Sequence, residues 1–256
     1  MIEPMSVEAR YLFVAQQFGD RSIRPVGRLS IHPAGSAYNY EFVYLKAILG
    51  LAEFSPFLAF PDVGHRYTST TLFPFFENRI MGAHRPEYPE LLDALDLESH
   101  AEPFEVLARS GGTRETDHIE VFPQPERDPS TDNATCRFFV RGVQYLDGAA
   151  EAILSLAKGE TLRFVPEPGN PYDREAIVVT AADGFRLGYL PRYLTTYVAE
   201  ALRSCDPGSV HLQVAKVGDP SMGFHTRLMV EFTCCWLDLE WPFAEDMFSP
   251  LHPVLV

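Results

Sequence analysis

The sequence predicts an α+β protein in two parts, and three observations carry that reading. Aromatic residues alternate at period two along YNYEFVYL, placing Tyr38, Tyr40, Phe42 and Tyr44 on one side of a strand. Apolar residues recur at helical spacing in YLTTYVAEALRSC (193–205), among short β-like runs. Between the two regions lies QPERDPSTDNAT (124–135), which is polar, proline-bearing and without hydrophobic period, as a linker is. The expected organisation is a domain at 1–123, a linker at 124–135, a second domain at 136–238 and a tail at 239–256. A chain of 256 residues, 46% of them hydrophobic, has material for two small cores.

In the first half, RYLFVAQQF (10–18) and VGRLSI (26–31) read as strands that join the aromatic strand in a mixed sheet with one aromatic-lined face. Helices are expected at LFPFFENRI (72–80), at PEYPELLDALDL (86–97), where the prolines come early, and at PFEVLARS (103–110), which Gly111 and Gly112 end. HIEVF (118–122) supplies a last strand. Ser110-Gly111-Gly112-Thr113 follows a helix instead of opening one, so it reads as a helix stop and not as a phosphate loop. Phe73, Phe75 and Phe76 are expected in the core. Arg79, His84 and Arg85 read as a solvated helix end. Asp62, His65 and Arg66 share a turn with no nucleophile near them in sequence.

The second half runs as strand RFFVRGV (137–143), turn QYLDG (144–148), helix AAEAILSLAKG (149–159), strand TLRFV (161–165), a turn, and strand AIVV (176–179). A hairpin then leads into RLGYLPR (186–192), followed by the amphipathic helix and the strands HLQVAKV (211–217) and RLMVEFTCCW (227–236). Pro168, Gly169 and Pro171 force the turn, because proline fixes φ and glycine permits positive φ. Asn170 and Asp173 are suited to hydrogen-bond backbone within it while keeping lone pairs for a ligand; the alternative is that they only cap the turn.

Gly142 and Tyr145, then Asn170-Pro171-Tyr172-Asp173, Ala176, and the run Gly188-Tyr189-Leu190-Pro191-Arg192 give this half a pattern that resembles the HIRAN domain. The resemblance implies an OB-like small β-barrel with one or two helices, of a kind found in helicase-like DNA repair proteins and in bacterial modules. It further implies binding of DNA, and in the helicase-like members binding of a single-stranded DNA end with a free 3′ hydroxyl. A terminal nucleotide is held without sequence preference by stacking its base on an aromatic, with polar groups for sugar and phosphate. Tyr145 and Tyr172 are the stacking candidates. By resemblance Asp173 accepts a hydrogen bond from the terminal hydroxyl, Asn170 supports it, and Arg192 meets a phosphate. Gln144 stands where the helicase-like pattern has a basic residue, which lowers the expected phosphate affinity. Tyr189 stands in place of a histidine and cannot become cationic near neutral pH. Phe224 is a candidate for a further aromatic wall or, equally, a hairpin residue folded back on the core.

The first half, over roughly residues 10–123, resembles the N-terminal subdomain of HipA-type kinases in its YEFVYL strand, its FPFFENRIM segment, and its helix followed by SGG and a strand. The kinase body of that family is absent: the chain has no phosphate-binding glycine loop, lysine strand or metal-binding triplet. No enzyme activity is expected, and the resemblance implies an adaptor domain that meets an unidentified protein effector.

Charge bounds the nucleic-acid reading. The chain carries 21 Lys and Arg against 35 Asp and Glu, a net charge of −14, which argues against a tight duplex binder. The acid is uneven: residues 1–132 hold 11 basic and 20 acidic residues, whereas 137–216 hold 9 of each. Within that neutral stretch Arg137, Arg141, Arg163, Arg174 and Arg192 are candidates for a small steering patch, so weak, end-selective and salt-sensitive binding is expected. The four cysteines, Cys136, Cys205, Cys234 and Cys235, lack CxxC spacing and read as reduced, half-buried thiols. A zinc site would have to recruit His32, His65 or His211 from scattered places, so neither metal nor cofactor is expected. No stretch approaches the roughly 20 apolar residues of a membrane span, and the opening MIEPMSVEAR has no apolar run, so a cytoplasmic protein is expected. Asp147, Glu167 and Asp173 lack the clustered spacing of a two-metal nuclease, and no catalytic residue is assigned. The favoured reading is a module that recognises DNA ends in repair or in defence against foreign DNA. The alternative is an interaction protein of toxin–antitoxin type, in which the HipA-like half binds a partner and the HIRAN-like half is structural.

Overall fold

The computed structural model describes residues 10–19, 22–35, 37–114, 117–128, 130–236 and 246–251. The chain forms two compact units, one from residues 1–88, 100–124 and 243–256, the other from 89–99 and 125–242. The fold class is α+β, as expected, with antiparallel sheets and few helices.

In the first unit β1 (Arg10–Gln17), β2 (Ile23–Ala34), β3 (Ala37–Tyr44), β4 (Tyr67–Ser69) and β5 (Ile119–Pro123) form one sheet in the order β4-β3-β2-β1-β5. Every pairing in it is antiparallel, so the expected mixed sheet is corrected; β1, β2 and β3 turn straight back on one another, and β4 and β5 join the two edges in the antiparallel sense. Tyr40, Phe42 and Tyr44 lie in one buried cluster, where the Phe42 ring stacks on Phe60 at 4.2 Å. The Tyr44 hydroxyl donates to the Phe60 carbonyl at 2.9 Å and accepts from the Phe57 amide at 2.8 Å, which satisfies a polar atom inside an apolar core. The opposite face is covered too. Glu41 and Val43 are buried there, Glu41 pairs with Arg66 at 3.2 Å, and Phe13 packs on Phe122 and Phe248.

The helices α1 (Pro74–Glu77) and α2 (Tyr88–Ala94) are shorter than their sequence patterns, whereas α3 (Pro103–Ser110) has the expected span. Phe76 is fully buried and Phe73 and Phe75 pack against the same core. A capping box between Glu102 and Glu105 opens α3, and Gly111 at φ 76° closes it, so the glycine pair is a helix stop. Arg79 corrects the expectation of a solvated helix end. Its side chain is 2% exposed, forks onto both Asp117 carboxylate oxygens at 3.0 and 2.5 Å, donates to the Gly112 carbonyl, and lies over the Phe75 ring.

The second unit contains β6 (Glu126–Asp128), β7 (Asn133–Phe139), α4 (Ala149–Leu154), β8 (Arg163–Pro166), β9 (Ile177–Thr180), β10 (Arg186–Tyr189), α5 (Arg192–Ser204), β11 (His211–Val217) and β12 (Leu228–Cys235). The stretch read as a linker holds a hairpin, because β6 pairs with β7 and Asp128 closes the turn through Ser130 and Thr131. Residues 89–99 belong with this unit through Asp96 to Arg137 at 3.0 Å and Asp93 to Lys216 at 2.9 Å. Two sheets, β10-β9-β8 and β11-β12-β7-β6, enclose a core into which α5 sends Leu194, Tyr197, Val198 and Ala201. The sheets meet at Arg141 with Tyr189 and at Thr161 with Gln213, each a single bridge and not a ladder. The expected barrel is therefore not closed among the described residues. Gly188 permits the first of these seams: a Cβ there would lie 2.3 Å from Val140 Cγ1 and 2.6 Å from the Arg141 carbonyl, so only glycine lets the strands approach.

The cysteine expectation is corrected as well. Cys205, just past α5, and Cys235, closing β12, form a disulfide across a Cα separation of 6.0 Å. They lie 30 residues apart in sequence, a pairing that spacing does not announce. Cys136 and Cys234 remain thiols, and burial pushes both up. No helix among the described residues is long and apolar enough to cross a membrane.

Candidate nucleic-acid interface

The NPYD turn leaves β8 and re-enters the sheet at β9, and Asn170 organises it. Its Oδ1 accepts the Tyr172 amide at 2.9 Å and the Asp173 amide at 3.1 Å, while its Nδ2 donates to Glu167 Oε2 at 2.7 Å. This is the capping role that turn chemistry dictates. It leaves the Tyr172 ring standing off the turn, with the residue 71% exposed. Asp173 Oδ1 accepts the Glu175 amide at 3.0 Å, and Oδ2 meets Arg192 Nε at 2.8 Å. Arg192 also donates to the Tyr172 carbonyl at 3.2 Å, so the first residue of α5 braces the turn from the side.

Beside this turn, β10 delivers Tyr189 and Arg186. The Tyr189 hydroxyl donates to Glu167 Oε2 at 3.3 Å and accepts from Arg186 Nη2 at 2.8 Å; the same guanidinium reaches Glu167 Oε1 at 2.7 Å. The Asn170 hydrogen bond holds the Glu167 carboxyl below its ordinary value of 4.5, against the push of burial and with help from Arg186. Glu167 is therefore a charged hub that ties the NPYD turn to Tyr189.

Gly142, at φ 69°, opens the turn Val143–Tyr145 and passes under two rings: a Cβ there would lie 3.1 Å from Tyr189 and 3.8 Å from Tyr145. Tyr145 is 79% exposed and Gln144 is also exposed. The turn Phe224–Thr226 lies alongside, with Phe224 45% exposed and the Arg227 guanidinium over its ring at 5.2 Å. Phe224 is thus not folded into the core. His225 is held below its ordinary value by burial and by the Arg141 charge.

The fold accordingly brings the sequence-derived residues into one connected series: the turn of Phe224 beside the turn of Tyr145, Tyr145 by way of Gly142 to Tyr189, then Glu167, Asn170, Tyr172, Asp173 and Arg192. It does not assemble the whole arginine patch, since Arg137 is spent on Asp96 and Glu231. Sequence reasoning missed Arg186 and the joining role of Glu167. The available signal was the acidic residue opening EPGNPYD and the basic residue three before Tyr189 in RLGY. Chemically, the surface offers exposed rings, carboxylate lone pairs able to accept an O–H, and two guanidiniums already engaged by carboxylates. A shallow depression lies elsewhere on the unit, between α4 and the β9–β10 turn, lined by Leu156 and Phe185. Among the described residues no group of three or more His, Cys, Asp and Glu is placed to hold a metal ion.

Residues 133–233 match the HIRAN domain. The match spans the turn and strands that carry the HIRAN residues just described. Two solved structures are also similar to the chain. A protein from Lactobacillus plantarum is 23% identical, with a TM-score of 0.31, over 40% of this chain and 96% of its own. The HIRAN domain of human HLTF is 21% identical, with a TM-score of 0.29, over 39% of this chain and 74% of its own. No curated protein matches the chain.

Proposed function

We propose that the HIRAN region binds single-stranded DNA at a free 3′ end, with Tyr145, Tyr172 and Phe224 as stacking surfaces and Asp173 as acceptor for the terminal hydroxyl. The observation that carries this reading is the exposed Tyr172 on the Asn170-centred turn, where Asp173 keeps one further lone pair on each carboxylate oxygen, with exposed Tyr145 joined to that turn by way of Gly142, Tyr189 and Glu167. The match to the HIRAN domain supports DNA binding in general. On this reading the protein acts in DNA repair or defence against foreign DNA, in the cytoplasm and without catalysis of its own. The first unit then serves as an adaptor for a protein effector.

Fluorescence anisotropy with short strands ending in a 3′ hydroxyl or a 3′ phosphate tests it. Asp173→Ala weakens binding of the hydroxyl-ended strand relative to the phosphate-ended one by roughly tenfold, the loss of one hydrogen bond to a charged acceptor. Equal losses on both strands remove the hydroxyl-reading role. No binding by the native protein at any salt transfers the assignment to the protein-interaction reading.

A further inference from the structure

We propose that Glu167 masks Arg186, holding in an internal ion pair a guanidinium that would otherwise grip the phosphates of a strand on this surface. The inference rests on the strand-binding reading above and names what sets its balance between hydroxyl and phosphate.

The geometry is asymmetric. Arg186 is the exposed partner, its side chain 45% accessible, with the guanidinium 5.8 Å from the centre of the Tyr189 ring. Glu167 is the fixed partner. Its side chain is 25% accessible, Oε1 receives Arg186, and Oε2 receives both the Asn170 amide and the Tyr189 hydroxyl. A carboxylate anchored by two donors besides Arg186 does not swing aside to release the arginine, so any phosphate must compete with it on the spot. A second pair, Arg192 with Asp173, stands across the same turn. Around the NPYD turn these two cations and two anions sum to zero, and a surface of that kind favours base stacking and an uncharged terminus over phosphate contact.

The mask is removable without removing its supports. Glu167→Gln keeps an oxygen to accept from Asn170 or Tyr189 but deletes the charge that holds Arg186, leaving a guanidinium of the type that pairs with phosphate oxygens. The test uses the full chain and a short 5′-labelled oligothymidylate with a free 3′ hydroxyl, titrated across a salt series. Glu167→Gln binds tighter at low salt by roughly tenfold, and its log affinity falls more steeply with log salt, by about 0.7, the slope of one added phosphate contact on a single strand. Adding Arg186→Ala to Glu167→Gln returns the slope to that of the native chain.

An unchanged slope in a Glu167→Gln protein with the native unfolding midpoint overturns the mask, as does a gain that survives Arg186→Ala. Either result leaves the strand-binding reading in place, provided the native chain binds. If neither the native chain nor Glu167→Gln binds at any salt, the strand-binding reading itself falls, and the mask with it.

Discussion

Both units bury aromatic rings, but among the described residues only the second also leaves some in solvent. In the first, Phe42, Tyr44, Phe57, Phe60 and Phe76 are buried and touch ring to ring. In the second, Tyr145, Tyr172 and Phe224 stand in solvent. The difference follows from the backbone beneath them. An aromatic on a strand at period two faces whatever packs on that sheet, whereas Tyr145, Tyr172 and Phe224 sit on tight turns built by Gly142, Asn170 with Pro171, and Gly223. The ion pairs repeat the contrast. Arg79 with Asp117 has a side chain only 2% exposed and ties a helix end into the core, while Arg192 with Asp173 is 27% and 22% exposed and braces a surface turn. Residue type therefore says little about role until the local backbone is known.

The contrast breaks most visibly at Phe42. Phe42→Ala removes a ring at the centre of the first unit's cluster and costs about 3–5 kcal/mol, read as a lowered denaturant midpoint; a loss below about 1 kcal/mol would mean that the cluster does not support the fold. Asp117→Asn comes next, at about 2 kcal/mol, because it leaves the Arg79 charge buried with a weaker partner. Burial opposes the Asp117 carboxylate, but the Arg79 hydrogen bonds and charge outweigh it and hold the group below its ordinary value of 3.8. A depressed carboxylate stabilises the fold above its ordinary value and loses that contribution as pH falls through the depressed one. Asp117→Asn accordingly flattens the acid limb of a stability–pH profile, and an identical limb would separate the pair from acid unfolding. The smallest effect on stability is at Tyr172. Tyr172→Ala moves it by less than about 0.5 kcal/mol, yet weakens binding of a single strand by about 1–3 kcal/mol if a base stacks there.

The sequence made the periodic elements legible. Alternation located β3, and the 3.6 period located α5, because burial of one face imposes those patterns directly. The NPYD turn was legible because Pro171 and Asn170 each have few conformations to offer. What stayed hidden depends on pairs brought together by the fold. Glu167 follows the end of β8 and Arg186 opens β10, the two strands that flank β9, and the register shift between Arg186 and Gly188 decides where that arginine lands. Cys205 and Cys235 meet only because the end of α5 arrives beside the end of β12. Arg79 looks like any surface arginine until Asp117 is placed beside it. The hairpin inside residues 124–135 escaped notice because three of its strand positions, Glu126 to Asp128, are fully exposed and carry no hydrophobic signal.

The position of β12 has a consequence for the order in which the second unit is made. It lies between β11 and β7, and its partner Phe139 is separated from Met229 by about ninety residues, a long loop whose closure is entropically costly. During synthesis β7 and β11 each wait without their shared neighbour, with unpaired edges open to wrong partners. The turn at Tyr172 emerges well before β12, but the four-stranded sheet cannot be completed until nearly the last residues of the domain leave the ribosome.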